Sequence, residues 1–203
     1  MKFAANLVSI LFHPVLMPLA GIYVMLNSGI YLVEFPGEIK KYIYLIVALF
    51  SIVLPLAVLS LLAYWHLVRD MVLSARHERF MPMSLSFVSV FVLHVILSRT
   101  IPVKLLTAYT FSMAVVIVVY LLSNISFKTS MHLLGLGGIS GLLAMLSAVF
   151  HTDLFFLVAL VVLVSGIVAA ARLYLEAHTI AELVAGFAIG FAGVFCTMYL
   201  YIS

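Results

Sequence analysis

Long apolar runs separated by short polar intervals dominate the chain. Seven runs stand out, at residues 5–29, 41–65, 82–98, 102–122, 131–150, 154–171 and 180–201. Most are near the ~20 residues that a helix needs to cross a hydrocarbon core about 30 Å thick. Each should be helical, because lipid offers no partner to an unpaired backbone N–H or C=O. The alternation of a membrane β-barrel is absent, and stretches such as 115–122 are apolar on every face. The run at 82–98 is short and predicts snorkelling ends or local thinning of the bilayer. The predicted fold is an all-α integral membrane protein: a polytopic bundle of about six or seven transmembrane helices, forming a single membrane domain over residues 1–203.

The first run has a basic start, at Lys2, that invites comparison with a signal peptide. His13, Pro14 and Pro18 interrupt its apolar stretch, and no clear small-x-small cleavage site follows. The reading is therefore a kinked span, with a re-entrant helix as the alternative.

Composition sharpens the class. Hydrophobic residues make up 67% of the 203 and charged residues 8%, with a mean hydropathy of +1.34. A soluble domain is nearer half apolar and a quarter charged. A cytosolic enzyme, a disordered tail and a nucleic-acid binder are excluded. The lone Cys196 rules out a disulfide or a cysteine-based zinc site within one chain.

With so few charges, their placement is informative. Three polar clusters, Arg69–Pro82, Phe127–His132 and Arg172–Glu182, follow the second, fourth and sixth runs. An even number of crossings separates each pair, so all three should lie on one face of the membrane. The other face carries Glu34, Glu38, Lys40, Lys41, Arg99, Lys104 and Asp153, which read as solvated loop charge and headgroup contacts. His13, His66, His94 and His151 stand alone and read as helix-end or packing residues.

Arg76, Arg79 and Arg172 are fixed cations whose planar forks suit phosphate oxygens, and Lys128 adds a point charge. Arg76 and Arg79, three apart, share a direction if their segment is helical. Their gathering suggests a phosphate-like anion, with Glu78, Glu176 and Glu182 offsetting part of the charge. The other use of interfacial arginines is to bind anionic headgroups.

His178 and Glu182 are four apart, so on a helix the carboxylate can accept from one imidazole nitrogen and leave the other as nucleophile or base. The alternative is an ion pair that only caps the helix. His132 follows Ser130 at the start of the fifth run, where a hydroxyl and the first amides of a helix can cradle an anion. A histidine there can protonate a leaving oxygen, or simply cap the interface. The set together suits phosphoryl transfer. It implies no cofactor and demands no metal, because no close pair of aspartates is present to hold magnesium.

This pattern resembles the type 2 phosphatidic acid phosphatase (PAP2) superfamily of membrane lipid phosphatases and haloperoxidases, over about residues 69–186. That family carries the motifs KxxxxxxRP, PSGH and SRxxxxxHxxxD. Arg172, five residues, His178, three residues and Glu182 match the third, with Ala171 for its serine and Glu182 for its aspartate. Thr129-Ser130-Met131-His132 keeps the serine and histidine of the second. The first survives as Arg79 and, three residues on, Pro82, with Val72 at the lysine position.

The resemblance implies a PAP2-like core in which His178 is the nucleophile and forms a phosphohistidine, oriented by Glu182. His132 would be the acid for the leaving group. Arg79, Lys128, Ser130 and Arg172 would bind phosphate, with Arg76 as a further ligand. The expected activity is hydrolysis of a lipid phosphomonoester or pyrophosphate, phosphatidate-like or polyprenyl. A non-catalytic lipid-phosphate binder or transporter is the second reading, and a metal site from His132, His178 and Glu182 the third.

Gly186 and Gly190, with Ala185, Ala188, Ala192 and Gly193 around them, give the last run a small-residue face. Gly135, Gly137, Gly138 and Gly141 do the same for the fifth. The two helices should pack together and bring His132 towards His178; a homodimer contact is the other use of such a face.

Orientation follows from Lys and Arg near the span ends. The motif side has six, Lys2, Arg69, Arg76, Arg79, Lys128 and Arg172, against four on the other side, Lys40, Lys41, Arg99 and Lys104. Setting aside Arg76, Arg79, Lys128 and Arg172 as phosphate ligands leaves two against four. The corrected balance favours a site on the extracytoplasmic side, and the expected setting is the cell (inner) membrane.

Overall fold

A computed structural model describes residues 2–29, 35–68 and 77–203, and among them the chain is helical with no strand. The helices are α1 (Lys2–Leu11), α2 (Met17–Asn27), α3 (Gly37–Ala48), α4 (Leu54–Tyr64), α5 (Phe80–Thr100), α6 (Lys104–Ser126), α7 (Met131–Phe150), α8 (Phe155–Tyr174) and α9 (Ile180–Ile202). With α1–α2 and α3–α4 each taken as one broken rod, seven helical segments among the described residues are long and apolar enough to cross a membrane. That is the architecture of a multi-pass membrane protein.

Two of the rods are broken for identifiable reasons. Between α1 and α2 the chain passes through His13 into a 3₁₀ turn, Pro14–Leu16, so the expected kink is an interruption. Between α3 and α4 a π turn spans Leu49–Val53. Pro55 has no N–H for the Ser51 carbonyl, and a widened turn absorbs the missing bond. The Ser89 hydroxyl of α5 donates to the Phe50 carbonyl at 2.6 Å.

The third run departs from its expected length. α5 has 21 residues, because Phe80 and Met81 join its first turn and Arg99 and Thr100 its last. Pro82 lies in that first turn, where its lack of an N–H loses no helical bond. The helix is long enough without thinning the bilayer. α6 likewise continues to Ser126, with the Ser123 hydroxyl folded back onto Tyr120 O at 2.8 Å.

α6 and α7 are central: 61% of the most apolar stretch of each is buried, against 17–28% for the other five segments. Phe3, Phe155, Phe156, Val184 and Leu200 are among the large side chains that project from the outer helices, as lipid contact requires. α1 packs on α8, while α2 packs on α7 and α3. The predicted pairing of the fifth and last runs is the largest contact in the bundle. A Cβ at Gly137 would collide with Phe187 O, at Gly141 with Phe191 O, at Gly186 with Ser130 O and at Gly190 with Leu134 O. The two backbones therefore touch along about three turns. Because this face is filled by α7, the glycines suggested for a homodimer are spent within the chain.

Gly190→Val should destabilise the protein by about 1–3 kcal/mol or more, the usual range for overpacking against unyielding backbone. Gly166 has open space around its α-carbon, so Gly166→Ala should leave stability unchanged or slightly raised. Thermal unfolding in detergent checks the contrast.

Candidate active site

The end of α8 is shaped by a sharp reversal. Glu176 adopts a left-handed conformation, φ 52°, while Ala177 N donates to Arg172 O at 3.1 Å and Glu176 N to Leu173 O at 2.9 Å. A left-handed residue other than glycine costs about 1–2 kcal/mol, and this one closes the helix abruptly enough to start α9 four residues later. Thr179 is the N-cap of α9. Its hydroxyl accepts from Glu182 N at 3.4 Å, and Glu182 Oε2 accepts from Thr179 N at 3.3 Å, forming a reciprocal capping box.

The same Oε2 accepts from His178 Nδ1 at 2.7 Å. A carboxylate oxygen only accepts, so Nδ1 carries the hydrogen and Nε2 keeps its lone pair. The orientation expected from the i, i+4 spacing is thus present. It also gives a physical reason for glutamate at this position: a capping box uses the longer arm to reach back to the N-cap amide.

The second cluster runs in extended conformation between α6 and α7, with Thr129 and Ser130 fully buried. Three hydrogen bonds tie it to the other two clusters. Arg79 Nη1 donates to Thr129 O at 3.2 Å, Lys128 Nζ to Ala177 O at 3.0 Å, and Ser130 N to Glu182 O at 3.2 Å. The convergence expected from crossing parity is realised for the parts described. Arg69, Asp70 and Arg76 lie outside the described residues, so the shared direction of Arg76 and Arg79 does too.

Arg79, His132, Arg172 and His178 line one cavity of about 710 Å³. They sit at its polar end. Beyond them the walls are mostly apolar, with Met83 and Val90 from α5, Met113 and Ile117 from α6, Leu134 from α7 and Val194 from α9. Lys128 and Glu182 line a smaller cleft of about 390 Å³ on the other side of His178. Ser130 is sealed beneath Gly186, and its Oγ has no hydrogen-bond partner. Of the residues expected to bind phosphate, Arg79 and Arg172 therefore face the cavity, while Lys128 and Ser130 stand just behind it. Among the described residues no three His, Cys, Asp or Glu side chains are grouped as a metal site.

Part of the site comes from a segment that motif reasoning left out. Ser9 of α1 accepts from His132 Nε2 at its carbonyl, 3.1 Å, and from Arg172 Nη1 at its hydroxyl, 3.5 Å. Asn6 and His13 line the cavity beside it. His13, expected as a helix-end or packing residue, does cap the 3₁₀ turn through Nδ1, but its ring also meets that of His132 edge-on at 5.7 Å. The available signal was a polar stripe, Asn6, Ser9 and His13, at spacings of three and four in an otherwise apolar run.

Burial lowers the pKa of His178 to about 4, and the positive charges of Arg79, Lys128 and Arg172 push the same way against the Glu182 hydrogen bond. The imidazole is neutral at pH 7, the form a nucleophile needs. Its unfolded counterpart titrates near 6.5, so between about 6.5 and 4 the unfolded chain binds more protons. This group's contribution to stability is present above that window and lost as pH falls through it. Melting temperature in detergent should drop from pH 7 to pH 4.5 more steeply for the wild type than for His178→Gln.

No family model, no curated protein and no solved structure matches the chain.

Proposed function

We propose that the protein is a membrane lipid-phosphate phosphatase with a PAP2-like core, acting through a phosphohistidine on His178. The observation that carries this reading is the shared cavity. One end offers two guanidinium groups and three imidazoles, those of His13, His132 and His178; the rest is a mostly apolar chamber inside a membrane bundle. That combination fits a ligand with an anionic head and a hydrocarbon tail. Arg79 and Arg172 would hold the phosphoryl oxygens and stabilise the charge of the transition state. His178 Nε2, aimed by Glu182, would attack phosphorus in line, His132 would lie on the side of the leaving oxygen, and water would then release phosphate. The substrate class is phosphatidate-like or polyprenyl pyrophosphate. The proposed setting is the inner membrane with the polar end outward.

The second reading is a lipid-phosphate binder or transporter that performs no chemistry. One observation favours it: His132 Nε2, which would have to reach a leaving oxygen, is engaged by Ser9 O. Turnover separates the two. Purified wild type should release phosphate from phosphatidate or polyprenyl pyrophosphate in mixed micelles, and orthovanadate should inhibit it. His178→Ala should lose several orders of magnitude in kcat, the scale seen when a nucleophile is removed. Equal release by both proteins would exclude His178 as nucleophile, and binding without release would favour the transporter.

A further inference from the structure

The three imidazoles on the cavity differ in where their hydrogens are held. His178 Nδ1 donates to a carboxylate, which leaves a lone pair at Nε2. His132 Nε2 faces the Ser9 carbonyl, which only accepts, so its hydrogen is spent there and Nδ1 is a lone pair. His13 is the reverse. Its Nδ1 accepts from the Val15 backbone N–H at 3.4 Å, and a backbone N–H only donates. The His13 hydrogen therefore sits on Nε2, where it has no partner among the described residues. His13 is also the most accessible of the three, whereas His132 and His178 are buried.

We propose that His13, from the interruption in the first membrane segment, is the proton carrier of the site and delivers the leaving-group proton in place of His132. The assignment rests on the phosphatase reading above. His132 is then a positioning residue, tying the start of α7 to Ser9 of α1 and holding the His13 ring by its edge.

The step balances without an outside reagent. A lipid phosphate monoanion brings its own acidic proton, which passes to His13. His178 Nε2 uses its lone pair to form the N–P bond as the P–O bond to the lipid alcohol breaks. The departing alkoxide takes the proton from His13 and leaves as the neutral alcohol. Water then attacks the phosphohistidine, its second proton moves to a phosphoryl oxygen as the N–P bond breaks, and phosphate departs as the monoanion. His13 and His178 both return to their starting forms.

Leaving-group dependence isolates this role. An alkyl phosphate such as phosphatidate needs protonation of its leaving oxygen; p-nitrophenyl phosphate, whose phenolate is stable, does not. For His13→Ala, kcat on phosphatidate should fall by about 10²–10⁴-fold, the usual worth of a general acid, while kcat on p-nitrophenyl phosphate should fall by less than about tenfold. Retained turnover of the activated ester shows that the variant is folded. His13→Gln keeps an N–H donor but has no acidic proton to transfer, and should behave like His13→Ala. His132→Ala should reduce both esters by similar factors. The assignment is overturned if His13→Ala lowers both substrates equally or neither, if His13→Gln restores phosphatidate turnover, or if the selective loss appears in His132→Ala instead. A wild type that hydrolyses neither ester overturns the phosphatase reading itself, and this assignment with it.

Discussion

The site depends on two helix backbones touching. α7 and α9 approach so closely that four glycines face carbonyl oxygens of the opposite helix. In lipid no hydrophobic force draws helices together, and close van der Waals packing of small residues takes its place. The contact continues to the membrane edge, where Ser130 N bonds to Glu182 O. One end of that bond lies two residues before His132 and the other four residues after His178. The relative placement of the two histidines is thus a consequence of glycine spacing in the middle of the bundle.

Around this axis Lys128 and Arg172 meet neutral acceptors. Lys128 donates to Ala177 O and Arg172 to Ser9 Oγ, with Arg172 Nε left without a partner. A cation kept among dipoles at the edge of hydrocarbon is costly. Such an arrangement favours an arriving anion, whose charge satisfies donors that the protein leaves open. Under the proposed function the cavity would sort anions by their other end, because its mostly apolar walls disfavour a polar substituent and suit an alkyl chain. Under the proposed function, charge and shape together would select lipid phosphates over free phosphate.

Much of this was legible in the residues. Hydropathy located the seven segments, since lipid punishes any charge inside a span. Crossing parity put the polar clusters on one side, and the i, i+4 spacing of His178 and Glu182 anticipated their hydrogen bond. The glycine runs anticipated the α7–α9 contact. Less was legible where position depends on packing rather than on local period. Lys128 and Ser130 sit in the right loop but behind the cavity wall, a distinction that spacing does not carry. The role of Ser9 and the exposure of His13 arise because α1 docks on α8, a contact between segments more than 140 residues apart. The π turn before Pro55 was hidden too, because a proline announces a lost bond but not how the helix accommodates it.

Glu182 serves two masters with one oxygen. Oε2 holds both the amide that begins α9 and the imidazole of His178. The beginning of a membrane rod and the bearing of a reactive ring are thereby welded. A copy that performed no chemistry would still keep the acid, since without it the first turn of the rod would lose half of its capping box. Retention of a carboxylate here is therefore a poor marker of turnover among diverging copies; the ring of His178, whose Nδ1 bonds only that carboxylate, is the better gauge.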